Sequence, residues 1–108
     1  MSILIKAHRH YIFLLTDPTI SKAQFRALLS TASNGQVNAI TEITLNLLRG
    51  TIPTTPEVKA KLLRQAKCLR KLASAKTSIR DRRECLQPKV VQTILHLSLP
   101  ILKKALEE

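Results

Sequence analysis

Apolar residues in this chain recur at steps of three and four, and nowhere do they alternate over a useful length. A helix repeats its face about every 3.6 residues and a strand about every two, so this spacing leaves little room for a sheet. Ile3, Leu4, Ala7, Tyr11, Leu14 and Leu15 predict a helix over 3–16, which Asp17-Pro18 stops because proline drives the preceding residue out of helical geometry. Ser21 and Gln24 have capping-box spacing and open a short helix with Phe25, Leu28, Leu29 and Ala32 on its apolar face and Lys22 and Arg26 off it. Ser33-Asn34-Gly35-Gln36 reads as a turn, with Ser33 and Gln36 as a second capping box. Val37, Ile40, Ile43, Thr44, Leu47 and Leu48 then make the strongest core stripe in the chain. Gly50 is expected to end that helix as a left-handed cap, with Ile52 packing back and Pro53 preventing continuation. The expected fold is all-α, a small array of four to six short helices.

The stretch Thr54–Leu86 sets the character of the molecule. Ten of the eighteen Lys and Arg fall in it: Lys59, Lys61, Arg64, Lys67, Arg70, Lys71, Lys76, Arg80, Arg82 and Arg83. Of the formal net charge of +11, residues 54–88 carry most, with ten bases against Glu57, Asp81 and Glu84. Thr55-Pro56 is a helix start: the hydroxyl can accept from a first-turn amide, and proline loses nothing at the first helical position. Val58, Leu62, Ala66, Leu69, Leu72 and Ala73 form an apolar stripe, so an amphipathic helix with a cationic back is predicted over about 56–73. Ser74–Ser78 should break it, and Ser78 should cap a short basic helix, Ile79–Leu86. Cations packed this densely repel one another unless an anion is present, which points to DNA or another polyanion as partner.

Lys89–Leu106 is the most apolar stretch. Gln92, Thr93, His96, Lys103 and Lys104 share one narrow arc, and nearly all the rest is apolar, with Pro100 expected to kink the helix. The expected organisation is a basic helical domain over 1–88 and an amphipathic helix over 89–108. That helix either completes the core, forms a homo-oligomer interface, or meets an anionic membrane or a protein partner through 89–106. A chain of 108 residues buries a modest fraction of its surface, so oligomerisation would add needed stability.

Catalytic chemistry finds no foothold. Asp81 and Glu84 are the only acids sharing a helix face, and arginines surround them. His8 and His10 would point about 200° apart on a helix and cannot chelate one metal there. Cys68 and Cys85 have no partner at metal spacing and read as two reduced thiols. There is no Gly-rich phosphate loop. No enzyme, cofactor or metal is expected. Neither a secretory leader nor an apolar run long enough to span a bilayer is seen, so an intracellular site is expected.

The run from Gln24 to Leu86 also carries a specific pattern: Ala27-Leu28-Leu29, Gln36, Ala39, Glu42-Ile43, Asn46, Gly50, Ile52-Pro53, Thr55-Pro56, Lys61-Leu62, Lys67, Leu69-Arg70 and Leu72-Ala73-Ser74. It resembles a short basic open reading frame of Polinton/Maverick-type elements and adintovirus-like viruses integrated in animal genomes. The resemblance implies a virus- or transposon-derived protein acting in the virion or on the element's DNA. This chain departs from the family after Ser74: Asp81 and Glu84 dilute the basic run, and the tail lacks the family's glycines, which implies a tail folding as a regular helix.

The residues themselves lead to a non-catalytic, sequence-independent nucleic-acid-binding protein; the resemblance implies its place, in the nucleus or in a virion core where it condenses DNA, and a capsid protein as the other partner of 89–106. The ten cations would neutralise phosphates, and six to eight contacts would give a slope of log K against log salt of roughly −5 to −7. The three aromatics, Tyr11, Phe13 and Phe25, lie outside the basic stretch, which argues against base stacking. The alternative is a structural virion or membrane-surface protein acting through its C-terminal helix.

Overall fold

The fold is built around one helix that the sequence marks clearly at its start. In the computed structural model, which describes residues 3–49, 55–57, 60 and 64–106, Ser33 accepts from the Gln36 amide at 3.1 Å while Gln36 Oε1 accepts from the Ser33 amide at 2.8 Å. This capping box satisfies two otherwise unpaired donors and fixes where the chain turns helical. Seven helices have both ends among the described residues, and no strand occurs there: α1 Ile3–Ala7, α2 Arg9–Leu15, α3 Lys22–Ser30, α4 Asn34–Leu48, α5 Ala66–Ala73, α6 Ile79–Glu84 and α7 Pro88–Leu106.

α4 is the hub. It packs against α1, α5, α6 and α7, while α3 lies on α7 and α5 on α6. Val37, Ala39, Ile40, Ile43 and Leu47 are buried, and Thr41 and Thr44 join them because each hydroxyl donates to the carbonyl four residues back, at 3.0 and 2.9 Å. Leu48, expected on this stripe, stays 45 % exposed at the last helical position.

The expected helix over 3–16 is two segments, with His8 between α1 and α2 in non-helical geometry (φ −108°, ψ 21°). The break lets His8 pack on the first turn of α4. A β-carbon on Gly35 would stand 2.7 Å from His8 Nε2, so glycine there serves close approach rather than a turn. α2 is held to α3 by Tyr11, whose hydroxyl donates to the Leu28 carbonyl at 3.0 Å. Ser21 and Gln24 cap α3 as expected, and Phe25, Leu29 and Ala32 enter the core.

α7 supplies Val90, Val91, Ile94, Leu95, Leu102 and Leu106 to that same core. Its wet side carries Gln92, His96, Pro100, Lys103 and Lys104. The helix runs on through Pro100. His96 and Pro100 are both exposed, so the carbonyl that loses its donor faces water, where the loss costs least. The radius of gyration, 12.8 Å, is what about 13 Å predicts for a single packed domain of this length. No described helix is long and apolar enough to cross a membrane. The expected left-handed cap at Gly50 lies outside the described residues.

Candidate nucleic-acid interface

The basic stretch divides where no proline or glycine marks a division. Thr55 is non-helical and Pro56 helical, as the Thr-Pro signal predicts, and Glu57, Ala60 and Arg64 are also in helical geometry. Gln65 then leaves helical geometry (φ −116°, ψ 15°) and α5 begins at Ala66. The single helix expected over 56–73 is therefore interrupted where α5 turns to pack on α4 and α6.

Within α5 the two sides separate cleanly. Leu69 and Leu72 are 1 % and 0 % exposed, and Cys68 packs beside them. Lys67, Arg70 and Lys71 are exposed, with Arg70 and Lys71 in the last turn, where the negative end of the helix dipole favours cations. Arg64 before α5, Lys76 after it and Arg80 on α6 are exposed as well. The loop between α5 and α6 is short and fixed. The Lys76 amide donates to Ser74 Oγ at 3.3 Å, and Ser78 Oγ caps α6 by accepting from the Asp81 amide at 3.2 Å. Lys59 and Lys61 lie outside the described residues.

Arg82 and Arg83 differ from the other cations. Arg82 donates to the Ser74 carbonyl at 2.9 Å and to Asn38 Oδ1 at 3.3 Å. Arg83 donates to the Ala32 carbonyl at 2.6 Å and to Asn34 Oδ1 at 2.7 Å. These two guanidinium groups tie α6 to the start of α4 and to the α5–α6 loop. They are expected among the phosphate contacts; the fold instead engages two donors of each in internal hydrogen bonds, while Arg82 Nε is buried without a partner among the described residues. Asp81 and Glu84 do not pair with them. Asp81 lies in the first turn of α6 and Arg82 and Arg83 in the last, an order that complements the helix dipole. Asn34 and Asn38, which complete this fastening, carry no sequence signal of the role.

The cysteines are closer than their spacing suggests. Cys85, buried at the end of α6, has the Cys68 thiol beside it, and burial first and that neighbour second push its thiol pKa up. Both are free thiols. Among the described residues no cluster of three or more His, Cys, Asp or Glu could hold a metal.

No protein-family model, curated protein or solved structure matches this chain.

Proposed function

We propose that this chain is a non-catalytic nucleic-acid-binding protein that holds phosphate backbones without reading base sequence. The observation that carries this reading is the division of α5: Lys67, Arg70 and Lys71 stand in water on one side while Leu69 and Leu72 are locked in the core on the other. The cations are thereby held on a rigid support with no acid paired to them, a state that favours a polyanion and repels itself without one. Arg64, Lys76 and Arg80 extend the same basic stretch, and Lys59 and Lys61 belong to it in sequence. No aromatic side chain lies in the stretch to stack a base. Together with the resemblance to a basic protein of Polinton/Maverick-type and adintovirus-like elements, this fits a role in condensing the element's DNA, in the nucleus or the virion core.

The alternative, a structural or membrane-surface protein working through its tail, requires the apolar face of α7. Much of that face is packed inward, with Val91 and Ile94 fully buried and Leu97, Leu99 and Ile101 half-buried, which favours the first reading. Neutralising Lys67→Gln with Lys71→Gln tests the proposal. Duplex DNA binding should weaken, and its salt slope should become shallower by about 1.8 if each lysine holds one phosphate. The urea midpoint should not move. Unchanged DNA affinity in a folded double variant would contradict the assignment.

A further inference from the structure

The fold gathers a second group of cations that the sequence scatters. Lys22 and Arg26 lie one helical turn apart on α3, both exposed, and Lys89 is the second residue of α7. Where α3 packs on α7 these three line a cleft of about 210 Å³, closed by Phe25, Pro88 and Gln92. An adjoining cleft shares Arg26 and Pro88 and brings in Arg83 and Gln87. No acidic residue lines either one. Phe25 is buried to 3 % exposure and gives the first cleft an apolar wall.

Cations converging on a concave surface with a low-dielectric wall concentrate positive potential there more than the same charges spread on a convex face. The site suits a compact anion with several acceptor oxygens. The positive end of the α7 dipole adds in the same direction. Arg83, at the edge of the second cleft, belongs to the same short helix as Arg80, which continues the basic stretch from α5.

We infer that the α3–α7 cleft is a second phosphate station, holding a backbone phosphate of the same nucleic acid that the α5 cations engage. The inference rests on the reading proposed above and extends it. Binding is then a two-point grip, with the α5 cations at one point and Lys22, Arg26 and Lys89 at the other.

The test compares the full chain with two charge-matched variants on labelled duplex DNA over a range of salt concentrations. Arg26→Gln/Lys89→Gln removes two charges at the cleft. Lys103→Gln/Lys104→Gln removes two from the last turn of α7, about 20 Å further along the helix, well beyond the screening length. All four residues are exposed, so both variants should keep the parent's circular dichroism. Lys22→Gln/Lys89→Gln serves if the first pair fails to fold. The cleft variant should lose about 1 to 2 from the magnitude of the salt slope, and the control less than half of that. Equal slopes for the two variants overturn the inference, because the effect is then net charge alone. If Lys67→Gln/Lys71→Gln still weakens binding in that case, the α5 reading survives and the cleft alone fails. A wild-type chain that does not bind DNA at low salt removes both.

Discussion

At the scale of single residues, Arg83 separates charge from function. Its half-buried guanidinium spans the Ala32 carbonyl on the α3–α4 connection and Asn34 Oδ1 at the start of α4, which makes it a fastener of α6. Replacing it with glutamine should leave the Ala32 carbonyl and Asn34 amide without that donor and cost about 1–3 kcal/mol in urea unfolding. Lys67→Gln, at an exposed position, should cost less than about 0.5 kcal/mol. Equal, negligible effects would mean that the Arg83 contacts do not hold α6. Tyr11 gives a second reading at this scale. Burial, opposed weakly by Arg83, pushes its phenol up to about 12. The folded form thus holds its proton where the unfolded form, near the ordinary value of 10.0, has lost it. Stability is undiminished below that ordinary value and falls as pH rises toward 12. As the chain has one tyrosine and no tryptophan, tyrosinate absorbance reports this residue alone. A midpoint near the ordinary value in the folded protein would contradict its burial. Neither role was legible in the sequence. Arg80, Arg82 and Arg83 look alike there, and the partners that distinguish them lie 44 to 51 residues away for the α4-side contacts.

At the scale of helices, what a few neighbouring residues decide was legible. The capping boxes at Ser21 and Ser33, the Ser78 cap and the Thr55-Pro56 start are local hydrogen-bond and steric signals, and the chain turns helical at each. The interruptions at His8 and Gln65 were not, because no local residue demands them: His8 bends to meet Gly35, and α5 departs to pack on α4 and α6. Tertiary contact overrode a propensity that on its own would have continued the helix. α7 shows the reverse limit. Its sequence fits a core helix, an interface helix or a membrane-surface helix equally, since all three need one apolar side. Packing on α3 and α4 assigns that side to the core. Deleting 89–108 should therefore abolish the cooperative thermal transition and most of the helical circular dichroism. A truncated chain that stays folded, binds DNA and loses only liposome binding would show that the tail is a separate membrane device.

At the scale of the whole molecule, the decisive feature is how +11 charges are distributed over a body 32 × 29 × 27 Å. Helical periodicity made the all-α class legible, and the count of cations in 54–88 is what motivates the polyanion proposal. Which cations are free was not legible, because that depends on what each side chain meets after folding. Arg82 and Arg83 turn inward. Lys89 meets Lys22 and Arg26, more than sixty residues earlier in the chain, at one seam. Central to the account is binding by phosphate neutralisation without base readout. The most direct test is fluorescence anisotropy of labelled duplex DNA, titrated with the full chain at several salt concentrations and repeated with duplexes of unrelated sequence. The slope of log K against log salt should be roughly −5 to −7, the same for every sequence. A slope near zero, no binding at low salt, or strong preference for one sequence at equal salt would contradict it.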